Sequence, residues 1–259
     1  MADPESVDVS NDEAGSARVR LRVEAKDSPM VLADLHRALK VDDPLLCDLI
    51  GSSDDGALLD LVEGAGFVIE SNGNRESSGS ADTTATGVRL RLRRQLTLPD
   101  TVGPAMTILV CGLNPSIYSA EVGVGFGRPG NRFWPAALAA GIVSRDRDPR
   151  HALMHHCVGM TDLVKRATRK AAELDAHEYR TGLARVERLA EWLQPRTICF
   201  VGLSGWRSVV DRKATAGWQE MSLGGRPVYL MPSTSGLNAS SQLPDLTQHL
   251  RLAAQTNRS

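Results

Sequence analysis

The chain has 259 residues, 42% of them apolar, which is enough for one large domain or two smaller ones. It shows no signal-peptide pattern and no apolar run of membrane-spanning length, so we expect a soluble, intracellular protein. The net charge of −1 is the sum of an acidic N-terminal region and a basic C-terminal region. Residues 1–87 carry 7 Lys and Arg against 18 Asp and Glu, net −11, whereas residues 88–259 carry 23 against 13, net +10.

This division of charge predicts two regions with different partners. A basic module joined to an acidic one is typical of a nucleic-acid-binding domain that carries a non-binding appendage. The alternative is that some of the charged runs are only solvated faces.

The N-terminal region is predicted to contain a tail, a small domain and a linker. Residues 1–15 are polar, acidic and without periodicity, which predicts a disordered tail. Residues 16–71 alternate strand-like and helix-like patterns, in the order VRLRVEA, VLADLHRAL, PLLCDLI and ALLDLVEGAGFVIE, which predicts a small acidic α/β domain. Residues 72–87 are rich in Gly, Ser and Thr and predict a linker.

The element order of this small domain resembles the C-terminal half of a class I methyltransferase. It lacks a glycine-rich cofactor loop, however, and Asp42 and Asp43 stand where that family usually has glycines. We therefore expect no S-adenosylmethionine binding and an interaction or regulatory role instead.

Residues 88–259 begin with VRLRLRRQ, which places arginines at alternating positions of a short strand. Two interpretations remain open: an edge strand protected by charge, or a row of phosphate contacts. The apolar run ILVC from Ile108 then predicts a buried parallel strand, and GLNPS ends it, because Pro115 forbids a helix through Asn114. Open α/β sheets bind ligands at this carboxyl end of their strands.

Further strands and helices alternate to the C terminus. GMTDLVKRAT leads to a turn, residues 175–194 form a long amphipathic helix, and TICFVGLSGW and GRPVYL each contain a buried strand. A last helix starts at Leu243. The alternation predicts a three-layer α/β/α domain in which Asn114, Asp162 and Ser233 lie on one rim.

The cysteines and histidines indicate no metal. Cys47, Cys111, Cys157 and Cys199 are far apart, which predicts reduced thiols and excludes the close cysteine pairs that an iron–sulfur cluster needs. The helical spacing of His151 and His155 puts both on one face, but no third ligand has matching spacing.

Four motifs appear in a fixed order: GLNPS, FGRPGNRFW, GMTDLVKRAT and MPSTSGLNAS. Together they resemble the mismatch-specific uracil/thymine branch of the uracil-DNA glycosylase superfamily, over about residues 89–259. The resemblance implies a central, mostly parallel sheet and a monofunctional glycosylase of base excision repair, without metal or cofactor. It also implies a monomer that acts on double-stranded DNA with a mispaired or deaminated base, located in the cytoplasm or, in a bacterium, at the nucleoid.

The resemblance also implies roles for individual residues. Asn114 would hold the attacking water and Phe126 would stack on the extruded base. Backbone N–H groups around Leu113 and Ser116 would stabilise the departing base. A final loop, formed by Ser233, Ser235, Gly236, Leu237 and Asn238, would bind phosphates of the DNA backbone. Leu237 in this loop would fill the space that the extruded base leaves in the base stack. Candidate contacts to the DNA backbone near the second pocket loop are Lys165, Arg166, Arg169 and Lys170.

Asp162 stands where relatives carry an amide or a lysine. It either reads the protonated edge of uracil or thymine, or caps a helix that begins at Leu163. The preferred lesion stays open among uracil, thymine opposite guanine and etheno-cytosine. A non-catalytic damage-recognition protein and a nucleotide-binding or methyltransferase-like enzyme are the alternative functions.

Overall fold

The computed structural model of the chain describes residues 7–11, 17–23, 25–50, 55–77, 86–238 and 240–255. The chain divides into two compact units, Met1–Pro99 and Asp100–Ser259. Most of the predicted N-terminal tail lies outside the described residues. Within it Val7–Asn11 is a strand, where the sequence predicted disorder.

The first unit is built on one five-stranded sheet. In chain order its elements are β1 (Val7–Asn11), β2 (Ala17–Arg22), α1 (Ser28–Ala38), β3 (Pro44–Ile50), α2 (Asp55–Gly64), β4 (Phe67–Ser77) and β5 (Thr86–Arg94). The strand order is β1-β2-β3-β5-β4. Only β2 and β3 are parallel, and the other described neighbours are antiparallel.

Strands β2 and β5 bury every second side chain. Val19 and Leu21 on β2 and Leu90 and Leu92 on β5 are at most 1% exposed, and the residues between them are arginines. This period of two shows that one face of the sheet is buried and the other faces solvent.

The boundary between the two parts of the chain differs from the prediction. Strands β4 and β5 extend into the predicted linker from both sides, although residues 78–85 lie outside the described residues. Since β5 pairs with β3 and with β4, it is an interior strand and not an edge strand. Residues 88–99 therefore belong to the first unit, which carries 11 Lys and Arg against 18 Asp and Glu, net −7. The second unit carries 19 against 13, net +6.

The second unit alternates strands and helices. Its elements are β6 (Ile108–Gly112), α3 (Ile117–Val122), α4 (Phe133–Ala140), α5 (Pro149–His156), β7 (Val158–Asp162), a 3-10 turn (Ala171–Glu173), α6 (Ala176–Leu193), β8 (Ile198–Val201), α7 (Ser204–Val209), β9 (Gly217–Trp218), β10 (Val228–Met231) and α8 (Leu243–Ala254). The strand order is β7-β6-β8-β10-β9, with β9 the antiparallel edge.

Both faces of this sheet are covered by helices. One apolar cluster joins Ile108 and Val110 of β6 to Trp134 of α4 and to Leu246 of α8. A second cluster joins the strand residues that point the other way, such as Phe200, to α6 and α7. Strands β6, β8 and β10 are therefore buried along their whole length. The three-layer α/β/α architecture with a mostly parallel sheet is confirmed.

Candidate active site

The carboxyl ends of the parallel strands form one rim of the second unit, where open α/β sheets place their ligand sites. Three loops matter there. One follows β6 and contains Asn114, one follows β7 and contains residues 163–170, and one follows β10 and contains residues 232–242.

The loops after β6 and β7 are held together by backbone hydrogen bonds. Leu163 and Val164 donate to the carbonyls of Gly112 and Leu113, each at 2.9 Å. Further along, the Thr168 N–H donates to the carbonyl of Pro115. The two loops therefore extend the β6–β7 pairing past the ends of the strands, which gives the site a rigid floor.

The Asn114 side chain is oriented by three acceptors. Its Nδ2 donates to the carbonyls of Pro115 (3.2 Å) and Arg166 (3.0 Å) and to the hydroxyl of Thr168 (2.8 Å). A carbonyl oxygen can only accept, so the nitrogen of the amide must face this way. The amide oxygen is then the part of the half-buried side chain that remains for a ligand.

Ser116 has a structural role that the sequence did not predict. It is the N-cap of α3, where its hydroxyl accepts a hydrogen bond from the Ser119 N–H at 3.1 Å. Capping of this kind satisfies a helix N–H that would otherwise lack a partner. Whatever Ser116 contributes to a ligand therefore comes from its backbone N–H. Leu113, half-buried, lines the adjoining cleft with its side chain.

The Asp162 carboxylate and the Phe126 ring both lie next to Gly112. A methyl group on Gly112 would overlap the Asp162 carboxylate and lie 3.4 Å from the Phe126 ring, so only glycine fits there. The Phe126 backbone has a φ of 56°, in the left-handed region that non-glycine residues rarely occupy. Its ring stacks on Phe133, with centroids 4.3 Å apart, and is only half-buried. One face of the Phe126 ring is therefore held against Phe133 of the core.

Asp162 ends β7, and the alternative that it caps a helix is wrong. Residues 163–170 contain no helix, because the backbone of Leu163 and Val164 is bonded to the β6 loop instead. Among the described residues the Asp162 carboxylate receives no hydrogen bond. Burial raises its pKa to about 6, and the positive charge of Lys165 opposes that rise.

Behind Asp162 lies a buried charged cluster that no local sequence pattern indicated. Asp100 accepts hydrogen bonds at 2.7 Å from Thr161, Lys165 and Arg185. Arg185 also donates to the Asp162 backbone carbonyl at 2.7 Å. Burial alone would raise the Asp100 pKa, but its two cationic partners hold that pKa below the ordinary value. The partners are 61 to 85 residues from Asp100 in sequence, so only the fold brings them together.

This cluster corrects the prediction for the basic residues near GMTDLVKRAT. Lys165 is 6% exposed and ion-paired with Asp100, so it cannot reach DNA. Arg166 makes a bidentate ion pair with Glu178 at 2.7 and 2.9 Å. Of the four candidate backbone contacts, Lys165 is therefore excluded, whereas Arg166, Arg169 and Lys170 are exposed.

The loop after β10 carries one exposed apolar side chain at its tip, and hydrogen bonds hold the rest of the loop in place. Leu237 is 87% exposed at that tip. Arg132 supports the loop, and its guanidinium donates to the carbonyls of Ser235 (3.0 Å), Asn238 (2.6 Å) and Ser241 (2.5 Å). Gly236 packs against the Gly130 carbonyl, where a Cβ would lie 2.8 Å away. Arg132 was not predicted from the sequence, although the motif NRFW contains it.

Turns within the loop leave hydroxyl protons available. Ser233 accepts from the Ser235 N–H, and Ser235 accepts from the Leu237 N–H, both at 3.3 Å. Asn238 closes the loop by donating from Nδ2 to the Ser233 carbonyl at 2.7 Å. Because both hydroxyls act as acceptors here, their own protons can still be donated to an anionic ligand.

A cleft of about 910 Å³ runs beside this loop, between the ends of β6, β8 and β10. Its wall includes Leu113 and Ser233 from the predicted site. It also includes hydroxyls and two exposed cations that the sequence did not single out, namely Ser204, Ser208, Arg207 and Arg212. The motif GLSGWRS after the apolar run of β8 was the signal that could have identified Ser204, Arg207 and Ser208.

His151 and His155 lie side by side on α5. Their rings stack with centroids 4.3 Å apart, as the helical spacing predicted. In the part of the chain that the structure describes, no three His, Cys, Asp or Glu side chains are grouped as metal ligands would be. None of the described helices has the length and apolar character of a membrane span.

The fold and the rim define an α/β protein with a polar ligand site at the ends of its parallel strands. Residues 99–255 match the sequence model of the uracil DNA glycosylase superfamily. The chain therefore belongs to that superfamily and is a DNA glycosylase, a hydrolase of N-glycosidic bonds.

Among solved structures, the chain is similar to a candidate uracil DNA glycosylase from Methanosarcina acetivorans, determined in solution by NMR. The identity is 20% and the TM-score is 0.41, and the match covers 60% of this chain and 95% of the other.

Proposed function

We propose that the protein is a monofunctional, mismatch-directed DNA glycosylase that extrudes a deaminated base from duplex DNA and releases it by attack of water. Uracil is the proposed primary substrate, with thymine opposite guanine and etheno-cytosine as further candidates. The observation that carries this proposal is the fixed orientation of the Asn114 amide.

Asn114 can position a water molecule but cannot deprotonate it strongly. Its nitrogen is committed to Pro115, Arg166 and Thr168, so its oxygen can accept a hydrogen bond from water. A neutral amide is a very weak base, and general-base catalysis therefore contributes little. The glycosidic bond must stretch until the sugar resembles an oxocarbenium ion before water attacks. We expect slow turnover.

The departing pyrimidine takes the electron pair of the glycosidic bond and becomes an anion. Backbone N–H groups of Leu113 and Ser116 are the proposed donors to it, since preorganised donors act most strongly where charge develops. Phe126, fixed on one face by Phe133, offers its other face for stacking. Asp162 lies against Gly112 and is the proposed reader of the base edge.

The proposed nucleophile is water and not a lysine. Lys165 is the lysine of the third motif, GMTDLVKRAT, and its Nζ lies 2.7 Å from the Asp100 carboxylate in a buried ion pair. A nitrogen held as an ammonium ion has no lone pair with which to form a Schiff base. Base release should therefore leave an abasic site with both strands intact.

Preference for mispairs arises partly from the substrate. A base that is already mispaired costs less free energy to extrude from the stack. The exposed side chain of Leu237 is the proposed wedge that fills the gap, as apolar side chains do in other distorted duplexes. Phosphates beside the gap would be held by the hydroxyls of Ser233 and Ser235 and by Arg207 and Arg212 of the cleft.

Single-turnover excision from labelled duplexes tests the proposal. The duplexes contain uracil opposite guanine, uracil opposite adenine, thymine opposite guanine or etheno-cytosine, and products are measured before and after alkali. We expect alkali-dependent cleavage, fastest for uracil opposite guanine, and a loss of excision in Asn114→Ala with duplex binding retained. Near-normal excision by Asn114→Ala, or cleavage without alkali, would contradict the proposal.

A further inference from the structure

The open face of the first unit's sheet carries a regular array of arginines. Three alternate along β2 and three along β5, and both strands are direct neighbours of β3. The residues between them are buried, so all six occupy the solvent face. They are Arg18, Arg20 and Arg22 on β2 and Arg89, Arg91 and Arg93 on β5. We call this set the arginine face.

Asp48 of β3 bridges the two rows of the arginine face. It pairs with Arg18 at 2.5 Å and with Arg89 at 2.7 Å. Partial burial would raise the Asp48 pKa, but the hydrogen bonds from Arg89 and Arg18 hold it below the ordinary value. The carboxylate therefore stays ionised and holds one arginine from each row.

Two further carboxylates pair with the arginines of β5. Glu70 lies 3.4 Å from Arg91 and 3.0 Å from Arg93, and Asp42 lies 3.6 Å from Arg93. The described ion pairs join these three carboxylates to four of the six arginines, and Asp8 of β1 lies opposite Arg20 in the strand register. The face carries more arginines than carboxylates although the unit as a whole is acidic. The side chains of the three β5 arginines remain 44 to 57% exposed.

We propose that the arginine face is a contact surface for the phosphate backbone of double-stranded DNA, in the unit that does not contain the active site. Guanidinium groups bind phosphate oxygens through paired N–H donors, and they are more weakly hydrated than ammonium groups. Strand geometry spaces the arginines about 7 Å apart along each strand and about 10 Å between β2 and β5. The bridging carboxylates of Asp48 and Glu70 hold four of them in this arrangement.

The composition of the face favours duplex over single-stranded nucleic acid. Proteins that bind single strands without sequence preference use exposed aromatic side chains on which bases stack. Phe67 is the only Phe, Trp or Tyr in residues 1–99, and it is 4% exposed. A surface of arginines without aromatic residues therefore suits duplex DNA, in which the bases are stacked inside and the phosphates are outside.

The experiment measures binding of the whole chain to an undamaged duplex of about 30 base pairs by fluorescence anisotropy at several salt concentrations. The variant is Arg20→Gln with Arg22→Gln, both exposed. The slope of log K against log salt is negative, and each lost phosphate contact makes it shallower by about 0.9. We therefore expect a slope that is shallower by about 1.8 and up to about 60-fold weaker binding at about 0.1 M salt.

The matched control is Lys26→Gln with Lys40→Gln, which removes the same charge from exposed positions in the loops on either side of α1. A single variant, Arg91→Gln, leaves Glu70 paired with Arg93 and should make the slope shallower by about 0.9. An unchanged slope in both arginine variants, or an equal change in the lysine control, would overturn the proposal.

Weaker binding that appears only with single-stranded DNA or with RNA would overturn the choice of duplex DNA. Binding to undamaged DNA does not depend on base excision, so the outcome is independent of the proposed catalytic function.

Discussion

The two sheets of this protein differ in where they can hold function. In the second unit β6, β8 and β10 are buried on both faces, so ligands can approach only at the strand ends and the loops that follow them. In the first unit one face is buried and the other is lined by arginines. The burial pattern of a sheet therefore predicts whether to look for function at its rim or across its surface.

The same difference controls how firmly functional groups are held. At the rim of the second unit, Asn114 is fixed by two backbone carbonyls and a buried threonine, which gives one orientation. On the arginine face, Arg91 and Arg93 are held by carboxylates that are themselves partly exposed. Catalysis needs the first kind of positioning, whereas sequence-independent contact with phosphates tolerates the second.

The largest effect expected at the rigid rim is from Asn114→Asp. A carboxylate would be a stronger base than an amide, but here it would face the carbonyl oxygens of Pro115 and Arg166 and lose the hydrogen bonds to them. We expect excision to fall about 1000-fold, as in Asn114→Ala, in a single-turnover assay. An increase in rate would show that the loop is adaptable and that the rim is not rigid.

A matched pair at Ser116 tests the next group on the rim. Ser116→Pro removes the backbone N–H, and the φ of −72° at this position suits proline. Ser116→Ala keeps the N–H and removes only the cap. We expect about a 100-fold loss of excision for proline and less than about threefold for alanine, which should cost about 1 kcal/mol of unfolding free energy. Equal rates in the two variants would exclude the N–H as a donor to the base.

Sequence patterns predicted the strands and most helices because apolar runs and alternation are local. ILVC, ICFV and VYLM are continuous apolar runs, and each lies in a strand buried on both faces. The arginine alternation also predicted β5 as a strand, but not its position in the sheet. Nothing in an alternating pattern says whether a strand has one neighbour or two, so an edge strand was one of its two interpretations.

The parts of the site that the sequence did not predict depend on contacts between distant residues. Lys165 meets Asp100 from 65 residues away, and Arg132 meets Asn238 from 106 residues away. The absence of a side chain at Gly112 is required by the Asp162 carboxylate packed against it, which comes from another strand. Such contacts leave no periodic trace in the sequence.

The loop after β10 is intermediate between the firmly held Asn114 and the more loosely held arginine face. It is irregular, but the guanidinium of Arg132 holds it. Arg132→Met removes donors from three carbonyls of this loop and should disorder the Leu237 tip. We expect about a 10-fold loss of excision for uracil opposite adenine and a smaller loss opposite guanine, since a paired base needs the wedge more. Single-turnover rates on the two duplexes measure this ratio.

Two further variants test whether the ratio of the excision rates opposite adenine and opposite guanine depends on the Leu237 wedge. Leu237→Ala should reproduce it, because it removes the wedge directly. Arg128→Met, which removes an exposed arginine from the same segment as Arg132, should leave the ratio unchanged. A change in ratio with Arg128→Met that equals the change with Arg132→Met would show that only charge matters there.

Asp162 gives a smaller effect that concerns stability. Its pKa is raised to about 6 in the folded chain, so its contribution to stability is fully present below about pH 4 and is lost as the pH rises through 6. Asp162→Asn has no charge to bury. It should therefore be more stable than the parent at about pH 8, by about 1 kcal/mol after solvent screening, and similarly stable at about pH 4. Thermal melts at the two pH values measure the difference.

The smallest expected effect is on the choice of base. Above about pH 6 the ionised Asp162 can accept the N3–H of uracil but repels the anionic leaving group, so excision by the parent should rise a few-fold as the pH falls through 6. Asp162→Asn should lose this pH dependence and should improve, relative to uracil, on etheno-cytosine, which has no N3–H to donate. Relative rates between about pH 5 and about pH 8 measure both effects. If the pH profile and the substrate ratio are unchanged while the melting temperature rises as expected, Asp162 is a buried carboxylate that does not read the base.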